Sequence, residues 1–522
     1  MHNVPAGSST DRSIVAVVVA IAACCAVLLW ATWGFMGDDS HITFTYSKNL
    51  ADGVGLVFNQ GKRTLSTTTP LTAVVMAGPS LLGLELQPVG ILVSTVAAGA
   101  IALLLWVNLR PYVGVLAALL GIAAVVLHPF TVSAAWNEML VYTALALATF
   151  HAVARRWFAV AGLLAGFCAL TRPDGGLVVV IALAIALLTA IHARNEQVGR
   201  RWRPLVRSSV AVAAVVTPWL VFSTWYYGSP VPVTLRAKQA QRESGHGRSF
   251  VELVDQRFDF YFSQGRWVVA AGVVIVGLVA GVAALSAHVR QARSAQPAET
   301  EDRLVAPFPL STFAPQSATL ILALAWNLLI AVAYLALDVS AYGWYVVPFV
   351  VTVGVLTSLG AGWLVARAQR WSALGSRLLG AAIAVAVVVP LLLGARDFAD
   401  RDPIHTVLYQ PAAEWMEANV PSDAAVGTLE VGLIGYYSGR TIVDFAGLLQ
   451  PDAATDAELD QGFDAIAAEA WNRYQPEFVA MLQPGIPTLL DAADFAERCV
   501  VVHTVTDPAV VEVMDIYDCR IG

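Results

Sequence analysis

The sequence predicts an all-α polytopic membrane protein that carries a soluble α/β domain at its C-terminal end. Of the 522 residues, 57% are hydrophobic and only 13% are charged, which places the chain well outside the averages of soluble proteins. Apolar runs long enough to cross a bilayer recur along the chain, and in lipid only helices or closed barrels satisfy the backbone. The runs do not alternate between apolar and polar residues as barrel strands do, so we expect helices.

About eleven transmembrane helices are expected, and basic residues orient them. The loops 192–207, 289–303 and 366–377 are rich in Arg and are predicted to be cytoplasmic. This orientation puts the N-terminus inside the cell and the C-terminal segment outside. The predicted spans are 14–35, 88–108, 112–129, 134–152, 157–171, 174–192, 208–226, 266–288, 317–337, 344–365 and 376–395.

The first outer loop, 36–87, contains an apolar segment that is too short to be a span. Residues 71–86 read LTAVVMAGPSLLGLEL, sixteen residues with an internal Gly-Pro pair. A crossing here would also move the basic loops to the outside. We therefore expect an interfacial or re-entrant helix.

The character of the sequence changes after residue 395. Strand-like runs such as AAVGTLEV and EFVAML alternate with helix-like stretches over 396–522. This division predicts a membrane domain over 1–395 and an extracytoplasmic α/β domain over 396–522, a usual size for one domain. Cys499 and Cys519 both lie in this second domain, where a disulfide can form outside the cell.

Charged and polar residues collect on the predicted outer face of the membrane domain. Each has a plain structural alternative: Asp38 or Asp39 can cap a helix that begins near His41, Arg172 and Asp174 can pair with each other, and basic side chains can snorkel to the interface. Glu138 is harder to explain in this way, because carboxylates at membrane depth are costly. The candidates for a site are Asp38, Asp39, His41, Lys48, Glu138, Arg172, Asp174, Tyr227, Arg236 and Lys238.

Carboxylates and cations on one outer surface suit a group transfer from a phosphate-linked donor. An acceptor hydroxyl becomes a good nucleophile when a carboxylate takes its proton. A departing phosphate needs Arg or Lys and no general acid. A lipid-linked phosphate sugar presents such an anion at the bilayer surface.

Four segments carry a resemblance to a known family. The run DDSHITFTYSKNLADGVGLVFNQGKRTLSTTTPL (38–71) resembles the first extracytoplasmic loop of the GT-C superfamily of polyprenyl-phosphate-sugar-dependent glycosyltransferases, in the branch of the terminal arabinofuranosyltransferases of mycobacterial and corynebacterial cell walls. ALTRPDGGL (169–177), WYYGSPVPVTLRAK (225–238) and IGYYSGRTIVDFAGLLQPD (434–452) are also similar. The resemblance covers most of the architecture from the first span to the C-terminal domain.

The resemblance implies roles for particular residues. The acid after the first span is the base in this family, a position that falls on Asp38, our first choice, or on Asp39. Glu138 lies where related enzymes carry a second acid, and we infer that Arg172 and Lys238 grip the donor phosphate. The chain departs from the pattern at FTYSK (44–48) and at YGWYVVPF (342–349), where Tyr342 or Tyr345 stands in for a basic residue of the family.

Together these observations predict a membrane glycosyltransferase that inverts the transferred sugar, for which the resemblance suggests arabinofuranose. The expected partners are a polyprenyl-phosphate-linked sugar donor, a cell-envelope glycan or lipid acceptor and the lipid bilayer of the plasma membrane, with no nucleic acid. No cofactor and no metal-ligand set are indicated, and a need for a divalent metal stays open. The alternatives are a lipid-linked-sugar transporter or flippase, which would favour internal repeats that this sequence lacks, and a non-catalytic cell-wall assembly protein.

Overall fold

The computed structural model describes most of the chain in atomic detail. The described residues are 7–193, 197–234, 238–239, 242, 248–294, 313–338, 340–401, 404–450, 452, 462–490 and 493–520. Helices dominate the part before residue 400, and a small sheet with flanking helices follows it.

The helices of the membrane part follow one another with short connections. They are α1 Gly7–Thr32, α2 Asp38–Ala51, α3 Pro70–Leu81, α4 Leu86–Val126, α5 Met139–Ala154, α6 Phe158–Thr171, α7 Gly176–His192, α8 Arg203–Tyr227, α9 Phe250–Ser263, α10 Val268–Ser294, α11 Pro315–Leu337, α12 Val347–Gln369 and α13 Ala373–Ala399. Short helical turns precede several of them, at Pro129–Val132, Pro173–Gly175, Val198–Arg201, Gly265–Trp267 and Gly343–Val346.

The predicted membrane helices are present. In the described part of the chain, eight helices are long and apolar enough to cross a membrane, and α5 and α6 are shorter apolar helices. The 41-residue α4 is broken at Gly114, whose φ of 78° and ψ of 179° are not helical. Gly99 before the break lies near Cys25 of α1, whereas Gly121 after it packs on Gly354 of α12. The break lies two residues after the start of the second of the two predicted spans 88–108 and 112–129, and each of the eleven predicted segments falls largely on a helix.

Small residues let the central helices approach closely. Gly121 of α4 lies against Gly354 and Ser358 of α12, and Gly277 of α10 lies against the backbone of Leu356 on the same helix. Glycine at such contacts removes the side chain that would separate two helices, a common device in membrane bundles. The helix α12 is therefore in close contact with α4 on one side and with α10 on another.

The apolar segment of the first outer loop is a short helix, as expected. The helix α3 has twelve residues, which corresponds to a length of about 18 Å. This length is well below the roughly 30 Å of a hydrocarbon core. Its location at the membrane interface remains a prediction.

The C-terminal part is an α/β domain built on a five-stranded sheet. Its elements are a π-helical turn His405–Tyr409, α14 Gln410–Asn419, β1 Ala425–Thr428, α15 Val431–Ser438, β2 Thr441–Asp444, α16 Gly462–Tyr474, β3 Phe478–Leu482, two short helices Pro487–Leu490 and Ala493–Arg498, β4 Val500–Thr506 and β5 Val513–Asp518. The strand order is β2-β1-β3-β5-β4. The strand β1 is parallel to β2 and β3, whereas β5 is antiparallel to β3 and β4.

The predicted disulfide is present in this domain. Cys499 precedes β4 and Cys519 follows β5, and their sulfurs are bonded. The bond therefore joins the two antiparallel strands at one end of the sheet. The helix α13 ends at Ala399, four residues beyond the predicted domain boundary, and the functional division at this boundary remains a prediction.

The first outer loop and the C-terminal domain share one apolar core. Ile42, Tyr46 and Phe58 of the loop pack with Leu433 and Ile442 of the domain. Asn59 adds two hydrogen bonds: its side-chain nitrogen donates to the Ile442 carbonyl at 2.8 Å, and its oxygen accepts from the Ile442 N–H at 2.9 Å. This packing holds the domain directly over the start of α2.

Candidate active site

In the part of the chain that the structure describes, the carboxylate of Asp39 is unpaired, in contrast to that of its neighbour Asp38. Asp39 lies in the first turn of α2, and solvent reaches its side chain although the surrounding protein partly desolvates the carboxylate. Among the described residues none donates a hydrogen bond to its carboxylate or forms an ion pair with it. The carboxylate is therefore available to a substrate, and the positive end of the helix favours its negative charge.

Asp38 has a different environment although it is the neighbouring residue. Its two oxygens accept hydrogen bonds from the backbone N–H of Gly432, at 3.0 Å, and of Leu433, at 2.7 Å. These N–H groups lie in the first turn of α15, where a helix has no internal partners for them. Asp38 thus caps a helix of the C-terminal domain rather than the helix on which it lies.

Lys238 provides a cation close to Asp39. Its ammonium group donates a hydrogen bond to the hydroxyl of Tyr345 at 3.0 Å and lies 5.0 Å from the centre of the Tyr342 ring. The charge of Lys238 lowers the pKa of Asp39, and the charge of Asp39 raises the pKa of Lys238. The two tyrosines of YGWYVVPF therefore orient this lysine.

Three other predicted charged residues of the membrane part, Glu138, Arg172 and Asp174, form a largely buried ion cluster. Arg172 donates to Glu138 at 2.6 Å and to Asp174 at 3.0 Å, and Tyr334 donates to Asp174 at 2.5 Å. The guanidinium also lies 5.3 Å from the centre of the Tyr345 ring. Because Arg172 already has two carboxylate partners, its charge is balanced inside the protein.

Two further residues reach the site from the C-terminal domain, and sequence reasoning missed them. His405 and Glu430 form a hydrogen-bonded pair with 2.9 Å between Nε2 and Oε2. Both side chains act electrostatically on Asp38 and Asp39. Glu430 lies in the run TLEVG, between β1 and α15. A carboxylate directly after a predicted strand is the sequence feature that could have indicated this residue.

The other predicted site residues lie apart from this cluster. His41 is fully buried beside Phe44 and Tyr436, and its Nδ1 is 2.8 Å from the Gly37 carbonyl oxygen. Lys48 is exposed near the far end of α2, with its ammonium group 5.3 Å from the Tyr436 ring centre. Tyr227 donates to the Leu56 carbonyl at 2.5 Å. Arg236 lies outside the described residues.

Burial and neighbouring charges control the titration of the site. Burial raises the pKa of Asp39; the charge of Lys238 opposes this rise, and Glu138 and Glu430 add to it. Burial and then the charge of Glu430 raise the pKa of Asp38, against the two N–H bonds. These shifts follow from the cost of placing a carboxylate in a poorly solvated site beside other acids.

Burial and neighbouring groups act in opposite directions on the pKa values of the basic residues Lys238 and His405. Burial works against the charge of Lys238, but Tyr345, Tyr342 and Asp39 outweigh it and raise the pKa of Lys238. Burial lowers the pKa of His405, but the bond to Glu430 outweighs it, so the net pKa is raised. Burial lowers the pKa of His41 to about 4, so that His41 is neutral at pH 7.

An apolar groove opens next to the site. It has a volume of about 720 Å³ and is lined mainly by apolar side chains, among them Phe250 of α9, Phe349 of α12 and Val346 of the turn that precedes α12. Phe250 packs on Tyr334 with 5.3 Å between ring centres, and Tyr334 packs on Tyr345 at 5.0 Å. One wall residue of the groove, Val346, is therefore the neighbour of Tyr345, whose hydroxyl accepts the hydrogen bond of Lys238.

No cluster of three or more His, Cys, Asp or Glu side chains suited to a metal ion occurs in the part of the chain that the structure describes. The acids near Asp39 are instead paired with Arg172, with His405 or with backbone N–H groups.

Comparisons with known proteins agree with this fold. A family model described as a domain of unknown function (DUF8728) matches residues 402–514, which is most of the C-terminal domain. No curated protein sequence matches the chain.

Solved structures match over nearly the whole chain. A crystal structure of ArnT from Cupriavidus metallidurans bound to undecaprenyl phosphate has a TM-score of 0.56 and 15% identity, covering 96% of this chain and 97% of that one. The archaeal oligosaccharyltransferase AglB from Archaeoglobus fulgidus, in complex with an inhibitory peptide and a dolichol-phosphate, has a TM-score of 0.52 and 12% identity, covering 89% and 69%. The chain therefore has a GT-C fold, and the predicted fold class is confirmed.

Proposed function

We propose that the protein is an integral-membrane glycosyltransferase that takes a sugar from a polyprenyl-phosphate carrier. The free carboxylate of Asp39, opposite Lys238, supports this proposal most strongly. The same fold occurs in proteins that bind undecaprenyl phosphate or dolichol-phosphate. An unpaired base beside an oriented cation is the arrangement that such a transfer needs.

In the proposed reaction Asp39 is the general base. Its carboxylate takes the proton of an acceptor hydroxyl as the hydroxyl oxygen attacks the anomeric carbon. The bond from this carbon to the phosphate oxygen breaks, and polyprenyl phosphate leaves with the electron pair. Attack from the side opposite the leaving group inverts the anomeric centre, as in other single displacements.

Lys238 is the cation that meets the departing phosphate. It has a tyrosine hydroxyl as its partner and no described carboxylate within ion-pair distance, whereas Arg172 is held by Glu138 and Asp174. A cation fixed in advance stabilises the charge that develops on the leaving group. Arg172, Glu138 and Asp174 then support Tyr345 and Tyr334 rather than touch the phosphate.

The apolar groove takes the polyprenyl chain. Its wall residues Phe250 and Val346 are apolar; Phe250 packs on Tyr334, and Val346 is the neighbour of Tyr345, the partner of Lys238. A chain in this groove puts its phosphate at Lys238.

The proposal also specifies the sugar, the acceptor and the orientation of the protein in the membrane. The sugar is arabinofuranose, by the resemblance of DDSHITFTYSK to the terminal arabinofuranosyltransferases, and the acceptor is a glycan or lipid of the cell envelope. The N-terminus lies in the cytoplasm, and the C-terminal domain lies outside the plasma membrane over Asp39.

Transfer by the purified protein tests this function. The protein is reconstituted in vesicles with polyprenyl-phosphate arabinofuranose and, separately, with polyprenyl-phosphate hexoses, together with cell-envelope glycan acceptors. We expect a new glycosidic product with release of polyprenyl phosphate. Movement of the lipid-linked sugar across the bilayer with no glycosidic product would instead indicate a transporter.

A further inference from the structure

A basic pocket lies at the end of the helix bundle opposite the candidate active site. It has a volume of about 830 Å³, and six arginines contribute to its lining: Arg155, Arg156, Arg200, Arg201, Arg203 and Arg207. The helix α5 begins beside Glu138 and ends at this pocket. Its sixteen residues give a separation of about 24 Å.

The other helices confirm that the two sites lie at opposite ends. The helix α7 begins after Asp174 and ends with His192, which lines the pocket. The helix α11 begins at Pro315 in the pocket lining and carries Tyr334, the partner of Asp174, near its other end. A ligand in the basic pocket is therefore not a substrate of the Asp39 site.

The positive charge of the pocket is not balanced by described acids. No Asp or Glu of the described ranges forms an ion pair with any of the six arginines. The Nε atoms of Arg155 and Arg201 are buried and have no hydrogen-bond partner. Buried donors without a partner are rare, because each one costs free energy.

A helix end adds to this positive potential. Arg203 and Arg207 belong to the first turns of α8, and both line the pocket. The N-terminal end of a helix carries a partial positive charge, so basic residues are unfavourable there unless an anion is close. The pocket thus combines guanidinium groups with a helix end that also favours anions.

Apolar residues form the rest of the pocket and connect it to the membrane. Phe158, Ile185, Leu188 and Leu322 line it beside the arginines. Ile185 and Leu188 belong to a helix that is long and apolar enough to span a bilayer. The neighbouring Trp157 is 53% exposed, as expected of a tryptophan at a membrane interface. A ligand that fills both parts has a phosphate headgroup and acyl chains.

We propose that this pocket binds the headgroup of an anionic phospholipid, with the arginines on the phosphates and the apolar wall on the first part of the acyl chains. Basic pockets between membrane helices bind phosphate headgroups in this manner. The site stabilises the end of the bundle at which α5, α7, α8 and α11 meet. It does not depend on the function proposed for Asp39.

Lipid binding by two sets of variants tests the proposal. The full-length protein is placed in phosphatidylcholine nanodiscs with or without cardiolipin, and bound cardiolipin is measured by native mass spectrometry. We expect bound cardiolipin in the wild type, and about a twenty-fivefold weaker affinity in the Arg155→Gln, Arg201→Gln double variant, from about fivefold per arginine. The double variant Arg367→Gln, Arg370→Gln removes two charges outside the pocket and should bind like the wild type.

A second pair keeps the test decisive if the first variant does not fold. Arg156 and Arg207 are exposed members of the pocket, so Arg156→Gln, Arg207→Gln should fold and should also weaken binding. Equal loss in the Arg367, Arg370 control, or no retention of cardiolipin by the wild type, would overturn the proposal. Binding of soluble pyrophosphate with the same affinity as cardiolipin would show that the pocket binds a free phosphate anion, which would contradict the proposal of a lipid headgroup.

Discussion

The Asp38 carboxylate lies 2.7 Å from the backbone nitrogen of Leu433, across 395 residues of sequence. With the bond from Gly432, this contact attaches the first turn of α15 to the first turn of α2. Asp39 is the next residue, so the position of the C-terminal domain also determines what surrounds Asp39. The domain therefore contributes to the site through Asp38 as well as through Glu430 and His405.

A larger residue at Gly432 should loosen this attachment. A Cβ atom there would lie 2.0 Å from the backbone oxygen of Asp38. We expect Gly432→Ala to destabilise the docked domain by about 1–3 kcal/mol, the usual cost of overpacking, and to lower transfer activity. Gly78→Ala, in a helix where a Cβ would meet nothing within 4 Å, is the control. Thermal melting measures both, and an unchanged melting temperature for Gly432→Ala would contradict the docking described here.

The ion cluster around Arg172 should be important for stability. Arg172→Met leaves Glu138 and Asp174 as buried acids without a cation, a change that typically costs about 3–5 kcal/mol. Arg266→Met breaks the more exposed pair with Asp397 and should cost about 1 kcal/mol or less. Melting temperatures of the two variants compare them, and similar losses would show that the Arg172 cluster is not a buried network.

The disulfide of the C-terminal domain should also be stabilising. Cys499 and Cys519 are separated by 20 residues, and closing a loop of this length contributes about 3 kcal/mol. The variant Cys499→Ser, Cys519→Ser should melt at a lower temperature than the wild type. Cys168→Ser, which changes a cysteine outside the domain, is expected to leave the response to reducing agent unchanged. A wild type that melts at the same temperature with and without reductant would contradict the prediction.

The pH dependence of transfer should follow the environment of Asp39. A general base is active without its proton, so activity is lost as the pH falls through its pKa. Since the pKa of Asp39 is raised from its ordinary value of 3.8, the acid limb of kcat/KM should lie above that value. Lys238 lowers this pKa and Glu430 raises it, so Lys238→Met should move the limb to higher pH and Glu430→Gln to lower pH. Shifts in the reverse directions would rule out Asp39 as the titrating base.

Much of this architecture could be predicted from the sequence because local patterns control it. The length of the apolar runs predicts the membrane helices, and the two cysteines of the polar C-terminal domain predict the disulfide. The ion pair of Arg172 and Asp174 follows from the short sequence distance between them. The family resemblance pointed to the first loop and to Lys238.

The division of labour between Asp38 and Asp39 could not be predicted in this way. Neighbouring residues on a helix point about 100° apart, and their surroundings depend on parts of the chain that are almost 400 residues away. Glu430 and His405 were missed for the same reason, since only the docking of the C-terminal domain brings them to the start of α2. The sequence pattern favoured Asp38, whereas the hydrogen bonds of Asp38 favour Asp39 as the base.

Separate replacement of the two aspartates is the most direct test of the proposed mechanism. Asp39→Asn and Asp38→Asn are measured for sugar transfer and for melting temperature in the same vesicles. We predict that Asp39→Asn loses about 10²–10⁴-fold in kcat, the usual share of a general base, with an unchanged melting temperature. Asp38→Asn should lower the melting temperature and retain more activity than Asp39→Asn. Near wild-type transfer by Asp39→Asn in a folded protein would contradict the proposal that Asp39 is the base.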